Sequence, residues 1–519
     1  MKRIFILFGI VVFSAANVFA QTQAYILESL AMPSTILGQD IKYSVVLPVE
    51  YYAGKQSYPV VYLLHGLGDN ESSWLEYGRI SQAAGEAVKR HEIVPMIFVM
   101  PQGFRNYYVN DYAGKFLYED MFIKELVPFI DNQYRTIADK EHRATLGYSM
   151  GGFGALVLPL KNPDVFTISV PLSISVRTDE QYTTEDASGW DDQWGRLFGG
   201  VGTIGKDRIT EYYKQYSPFH IFAQPDIKRF KDLKLYIDNG DDEQTLCRSN
   251  EELHILLRDK NFPHEFRVRN GGHEFVYWRE ALPNALRFIS DAFQGKNYRG
   301  DLKNLPQHAI DSRFSDDEIT DRGAYSIWLP AEYKQSTRSY PVIYFSGRFT
   351  KAEKKSIAAK VGAEIETALF PPVLLVFLAE DEAHLVDKII PDVEKNFRAR
   401  NGYRFRALIG FESGGTNALQ YALHPEMFTA CSVFDAPVDC NQLKSAIGEK
   451  GKGPVARTWF YLCTTGKSTS YRSNGCAHIL LRDEEIYHEY RVQDGNGGSA
   501  WFINNLAEAL DFTQRKIHR

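Results

Sequence analysis

The 519-residue chain reads as an α/β protein in which a mostly parallel sheet is covered by helices on both faces, built twice over. Three observations predict this. Short apolar, β-branched runs alternate with segments of helical periodicity. The length is about twice what one α/β domain usually holds, roughly 250 residues. Blocks of sequence from the first half return, in the same order, in the second.

The composition agrees. Hydrophobic residues make up 44% and charged residues 24%, the balance of a globular chain rather than a disordered, collagen-like or disulfide-scaffold one. The net charge of −6 argues against a sequence-independent grip on nucleic acid, which needs surplus positive charge. Aromatics reach 13%, with 30 Tyr and 33 Phe, which points to large cores or to aromatic-lined binding sites.

Residues 1–20 have the form of a signal peptide. Lys2 and Arg3 precede an apolar run, Ile4–Phe13, and Val18-Phe19-Ala20 places small residues where a signal peptidase reads. The run is too short to span a bilayer. Cleavage after Ala20 would leave Gln21 first, with no cysteine for a lipid anchor, and would take the charge from −6 to −8. The expected location is secreted or periplasmic, without membrane insertion.

The expected elements then follow in order. Val60–His65 and Ile93–Met100 read as buried parallel strands. Met121–Tyr134 has helical spacing. Thr145–Gly147 ends a strand and Gly152–Leu160 opens a helix. Leu233–Asp238 is a strand, Glu251–Arg258 a helix and Phe266–Val268 a late strand.

The second half repeats these blocks. Arg248-Ser249-Asn250 with His254–Asp259 returns as Arg472-Ser473-Asn474 with His478–Asp483, 224 residues on. Gly147 and Gly151-Gly152 return as Gly410 and Gly414-Gly415 after 263 residues. Ser57–Tyr62 returns as Ser339–Tyr344 after 282. Collinear matches of this kind mean a tandem duplication with its boundary near Gly295–Arg299, giving units 21–297 and 298–519. The half-chain period is far longer than a solenoid repeat. Of five cysteines, Cys247 stands alone in the first half. Cys431, Cys440, Cys463 and Cys476 lie in the second, where one bridge or buried free thiols are both open; the spacing fits no zinc site.

Gly147-Tyr148-Ser149-Met150-Gly151 fits G-x-S-x-G between an expected strand and an expected helix, the context in which a serine is lifted from a sharp turn. His273 lies late in the unit. Asp241, Asp242 and Glu243 follow the strand that ends at Asp238. The order serine, acid, histidine is that of α/β-hydrolases. An unactivated serine is a poor nucleophile, so His273 would take its proton while a carboxylate holds the imidazole tautomer.

The set His65-Gly66-Leu67-Gly68, Gly147–Ala155 and Gly271–Trp278 resembles the esterase D-like esterase family, of carbohydrate esterase family 1 type. That family includes feruloyl and acetylxylan esterases, S-formylglutathione hydrolases, enterochelin esterases and mycolyltransferases. The resemblance covers about Tyr25 to Phe293. It implies an α/β-hydrolase fold, Ser149 as nucleophile, His273 as base and an oxyanion hole from the backbone N–H groups of Met150 and Leu67. It implies no metal and no cofactor. The family acid is an Asp three residues after a glycine. Here that glycine is Gly240 and the third residue Glu243, so Glu243 and Asp242 both remain open. Tyr107 and Tyr108, Trp190 and Trp194, with Trp278 and His65, are the residues expected to bind substrate.

The second copy is expected to be inactive. Glu412 stands where Ser149 does, Gly495–Ser499 has no histidine, Gly466–Ser470 has no carboxylate, and Gly347-Arg348 replaces His65-Gly66. It is also shorter across the Tyr107-Tyr108 and Trp190–Trp194 stretches. Such a copy could pack on the first as an internal pseudo-dimer. The expected function is an exported serine ester hydrolase that removes feruloyl or acetyl groups from plant polysaccharide. Acyl transfer to a sugar hydroxyl, siderophore-type ester cleavage and a purely carbohydrate-binding role are the alternatives.

Overall fold

The computed structural model describes residues 24–243, 245–302, 319–366, 370–379 and 384–517. The expected signal peptide lies outside the described residues, and so does the stretch 303–318 that follows the expected boundary.

Two eight-stranded sheets organise the chain. The first consists of β1 (Tyr25–Ser34), β2 (Gln39–Leu47), β3 (Val60–Leu64), β4 (Ile97–Pro101), β5 (Arg143–Tyr148), β6 (Ile168–Leu172), β7 (Lys234–Gly240) and β8 (Glu265–Arg269). The second consists of β9 (Thr320–Asp321), β10 (Tyr325–Trp328), β11 (Val342–Ser346), β12 (Leu374–Leu378), β13 (Arg406–Phe411), β14 (Ala430–Phe434), β15 (Trp459–Thr465) and β16 (His488–Gln493). The first runs β1-β2-β4-β3-β5-β6-β7-β8, and the second repeats that order strand for strand as β9-β10-β12-β11-β13-β14-β15-β16. In each, the first two pairings are antiparallel and the rest parallel. This is an α/β-hydrolase-like architecture.

The central strands are apolar on both faces because helices cover both. Every residue of Val60–Leu64 and of Arg143–Tyr148 is buried. One core gathers Tyr62, Leu64 and Phe153 on one face, and another gathers Leu63, Leu146 and Trp278 on the opposite face. β4 starts at Ile97 rather than at Ile93, because Pro95 has no N–H to offer the ladder. The expected helix Met121–Tyr134 is three consecutive segments of different pitch: Tyr118–Met121, a widened π-type turn Phe122–Leu126, and Val127–Gln133. Pro128 opens the last of these, and its missing N–H removes the bond that regular pitch would need. The second unit repeats the device with Leu385–Ile389 and Pro391.

β1 and β2 form an antiparallel hairpin that the sequence pattern hid. Ser29 at φ 52 and a shift in register between Leu27 and Leu30 interrupt the alternation of β1. Its outer edge meets the second unit. Ile26 O accepts from Thr337 N at 3.0 Å, and Glu28 N donates to Thr337 Oγ1 at 2.8 Å. Behind this edge lie buried charges of both units, Glu28, Glu76, Glu332 and Arg338.

Cys440 and Cys476 are disulfide-bonded, joining the helices Cys440–Lys450 and Tyr471–Asp483. Cys431 and Cys463 are buried thiols on β14 and β15. Among the described residues no helix is long and apolar enough to cross a membrane.

Candidate active site

The site sits where strand order reverses, at the carboxyl ends of β3 and β5, the position open α/β sheets favour for ligands. β5 ends at Tyr148 and the next helix begins at Met150, so Ser149 alone carries the reversal, at φ 57 and ψ −120. The turn leaves no room for a side chain two residues to either side of Ser149. A Cβ on Gly147 would stand 2.2 Å from Gly151 O, and one on Gly151 would stand 2.1 Å from Leu64 O. Ser149 N donates to Leu172 O at 3.1 Å, which pins the turn to β6.

His273 lies in the short connection between β8 and the helix Phe275–Phe293. Its Nε2 is 2.9 Å from Ser149 Oγ, and its Nδ1 is 3.0 Å from Glu243 Oε2. The Glu243 side chain is 0% exposed and that of His273 is 38% exposed, so the carboxylate is enclosed and the imidazole opens to the cleft. Glu243 Oε1 accepts from Gly240 N at 2.9 Å and from the Ser173 hydroxyl. Ser173 in turn accepts from Trp278 Nε1 at 2.8 Å. A carboxylate only accepts, so Nδ1 carries a proton and the Nε2 lone pair faces the serine hydroxyl. That arrangement can remove the Ser149 proton as the oxygen attacks a carbonyl.

Of the two neighbouring carboxylates that the sequence offers, Glu243 is the one that meets His273. Asp242 is exposed and its backbone N donates to Gly271 O at 3.0 Å. Asp241 Oδ1 accepts from Gly271 N at 3.0 Å. Those two bonds fold the turn so that Glu243, the third residue after Gly240, points inward. Met150 opens its helix, and its N–H is one of the first-turn donors without an intrahelical acceptor. Leu67 stands in the turn after β3, where Asp69 N donates to Gly66 O at 3.2 Å. Donors at these two places can face an oxyanion.

The residues expected to touch substrate are interior, and this corrects the sequence reading. His65 is buried; its Nδ1 meets Gly66 O at 2.8 Å and its Nε2 accepts from Gly103 N at 2.7 Å, so it shapes the loop. Tyr108 donates to His65 O at 3.0 Å and fills the space left by Gly103 and Gly154. Trp190 packs between Tyr182 and the Arg208 guanidinium. Trp194 stacks on Phe198 and packs at a tilt against Tyr107. Trp278 stacks on Tyr148 at 4.1 Å and serves Ser173. The large rings of residues 182–216 join the core that also holds Tyr62, Leu64 and Phe153, so they turn inward. Tyr107 is buried too, yet its hydroxyl reaches Ser175 Oγ at 3.1 Å, and Ser175 N donates to Ser149 O at 3.1 Å. Gln193 Nε2 donates to the same phenol. Burial pushes the Tyr107 hydroxyl up to about 12, which keeps it protonated.

Sequence reasoning missed Ser173, Ser175 and Gln193. Ser173 carried one usable signal: it directly follows β6, the strand beside the one that leads into Ser149. In the second unit Glu412 takes the elbow at φ 51 and ψ −124, and a Cβ on Gly414 would stand 2.3 Å from Ser346. The turn survives there with a carboxylate on it. Among the described residues no group of three or more His, Cys, Asp or Glu is placed to hold a metal ion.

Residues 34–289 match the model of the esterase family, described as "Putative esterase". The chain is 31% identical over 249 residues to an endo-1,4-beta-xylanase/feruloyl esterase of Xylanibacter ruminicola, covering 46% of this chain and 28% of the relative. It is 28% identical over 258 residues to an esterase of Mycobacterium tuberculosis, covering 47% of this chain and 54% of that one. The chain thus spans about a quarter to half the length of these curated relatives. A solved ferulic acid esterase aligns with 29% identity and a TM-score of 0.44, covering 52% of this chain and 99% of its own. Through residues 34–289, the chain belongs to the esterase family.

Proposed function

We propose that the protein is a serine carboxylic ester hydrolase working through an acyl-enzyme, with feruloyl or acetyl esters of plant polysaccharide as its substrates. The observation that carries the reading is the hydrogen-bonded chain Ser149–His273–Glu243 on a turn that opens a helix. Ser149 attacks the ester carbonyl and His273 takes its proton. The Met150 and Leu67 amides hold the oxyanion. His273 then protonates the leaving alkoxide, and water, activated by the same imidazole, frees the acid. Glu243 is the triad acid and Asp242 is not. The substrate class rests on the feruloyl esterase likeness and on the signal-like first twenty residues.

The second unit, from about residue 298, is a degenerate copy of the first, packed on it as an internal pseudo-dimer. The shared strand order and the collinear blocks support the duplication. Glu412 in place of the nucleophile supports the loss of chemistry.

The test is hydrolysis of p-nitrophenyl acetate by the purified protein, with Ser149→Ala beside it. Activity should vanish in the variant; activity unchanged would overturn the mechanism. A panel of methyl ferulate, acetylated xylan and a siderophore ester then ranks the substrates. Preference for the siderophore ester would overturn the polysaccharide assignment and leave the serine chemistry standing.

A further inference from the structure

The second unit has lost its catalytic side chains but carries two arginines that the first lacks. Arg338 stands where the first unit has Gln56, 282 residues earlier, and Arg400 where it has Ile137, 263 residues earlier. Backbone bonding supports the second match. Ile137 N donates to Tyr58 O at 2.9 Å and Arg400 N to Tyr340 O at 2.8 Å. Both arginines face the first unit.

Arg400 is held rigidly by its own unit, its Nε donating to Ser339 O at 3.1 Å. Its two remaining nitrogens cross the interface. Nη2 meets Glu28 Oε1 at 3.1 Å and Nη1 pairs with Glu76. The side chain of Arg400 is 14% exposed and those of Glu28 and Glu76 are 4% exposed, so the pairing is screened little by water. Arg338 meets Glu28 at 3.6 Å and its own unit's Glu332 at 2.9 Å, and Gln82 Nε2 of the first unit donates to Glu332 at 3.3 Å.

Glu76 ends the short helix Ser73–Glu76, which also carries Trp74. Trp74 Nε1 donates to Leu64 O at 3.1 Å, at the root of the Leu67 loop. Its ring packs on Tyr148 at 5.2 Å, directly before Ser149. One side chain therefore touches the roots of both places that offer an oxyanion donor.

We infer that the second unit is a buttress. Through Arg400 it holds Glu76, and through the Trp74 helix it sets the distance between the Leu67 and Met150 amides. Arg400, Glu76 and Trp74 are positioning residues for the first unit's chemistry. This inference rests on the proposed serine mechanism.

The full-length protein tests it. Arg400→Met and Glu76→Gln should each lower kcat for p-nitrophenyl acetate by about tenfold, with KM changed less than about twofold, since small misplacements of preorganised donors are costly. Affinity for phenylboronic acid, which forms a tetrahedral adduct on the serine, should fall by the same factor. The double variant should lose no more than either single one. Glu28→Gln cuts the same interface but leaves Arg400 on Glu76; it should lower the melting temperature and keep kcat. Arg400→Lys should fall between wild type and Arg400→Met, and with Glu76→Gln it supplies the answer if Arg400→Met does not fold. Variants that melt earlier but keep kcat and boronate affinity would overturn the buttress, as would Glu28→Gln losing as much kcat as Arg400→Met. Ser149→Ala measured alongside separates the two readings. Activity or boronate binding retained there overturns the serine mechanism, whereas their loss beside unchanged interface variants overturns the buttress alone.

Discussion

Glu243→Gln tests the site most sharply, because the surroundings dictate how the new amide must lie. In the wild type one carboxylate oxygen accepts from Gly240 N at 2.9 Å and from Ser173, and the other accepts from His273 Nδ1 at 3.0 Å. An amide has one acceptor end and one donor end. Turning its NH2 toward Gly240 N–H would set two donors face to face in a fully buried place, at a cost of about 1–3 kcal/mol. The oxygen therefore stays with Gly240 and the NH2 faces His273. The imidazole must then accept at Nδ1, which moves its proton to Nε2, against Ser149 Oγ–H. A protonated Nε2 cannot take the serine proton. The wrong tautomer in a serine triad costs about 10⁴ in kcat, or ~5 kcal/mol of barrier. We expect a loss of about 10³ to 10⁴ in kcat toward p-nitrophenyl acetate with KM nearly unchanged. Asp242→Asn, at an exposed position, should stay within about twofold. A Glu243→Gln enzyme retaining more than about a tenth of its kcat, or an Asp242→Asn enzyme equally impaired, would refute the reasoning.

Ser173→Ala removes a charge-assisted bond to the buried Glu243 and strands the Trp278 N–H; kcat should fall about tenfold at constant KM, and steady-state kinetics checks it. Glu412→Gly should raise stability by about 1 kcal/mol, because the strain at φ 51 of roughly 1–3 kcal/mol exceeds the roughly 0.5–1 kcal/mol entropy cost of glycine; denaturant melts of the full chain measure it. The pairs His254–His264 and His478–His488 share a hydrogen bond at 2.8 Å and 2.7 Å. Burial, ahead of nearby cations, lowers the pKa of His254, His264 and His478. Folded values below the unfolded one mean stability that is full above about pH 6.5 and lost as pH falls through the folded values. The melting temperature should therefore drop between about pH 7 and about pH 5, and drop less in a His254→Leu, His478→Leu double variant; equal drops would refute the assignment.

The parallel core and the turn that carries Ser149 were legible in sequence for one reason. Both depend on local rules: β-branched runs for buried strands, and bare glycines where a backbone oxygen sits 2.1 Å from a would-be Cβ. The carboxylate that meets His273 was not legible, because the count from Gly240 ends at Glu243 while a turn shifted by one would offer Asp242, and only the contacts of Asp241 and Asp242 with Gly271 orient the turn. The β1–β2 hairpin was hidden by the irregularity at Ser29. The aromatic clusters misled in an instructive way. The second unit is shorter across these stretches, yet Trp190, Trp194, Tyr182 and Phe198 pack on one another within the first unit's core. A shortened stretch loses buried rings along with surface, so a length difference cannot separate the two.

The two elbows carry the argument about function furthest. Ser149 and Glu412 share one backbone conformation, φ 57 with ψ −120 against φ 51 with ψ −124. Gly495–Ser499 holds no histidine. Packing is enough to maintain the turn at Glu412: Gly414 leaves no room for a Cβ against Ser346, as Gly151 leaves none against Leu64. The helix must approach the sheet that closely for β11 and β13 to stay covered. Strain at the elbow thus belongs to the scaffold, and a strained turn alone identifies no enzyme. What distinguishes the first unit is the serine on the turn, the His273 it bonds and the Glu243 that bonds His273 in turn. The same logic makes the interface informative. Arg338 and Arg400, at the places of Gln56 and Ile137, reach across to Glu28 and Glu76 of the first unit, contacts that lie outside the second unit's own packing.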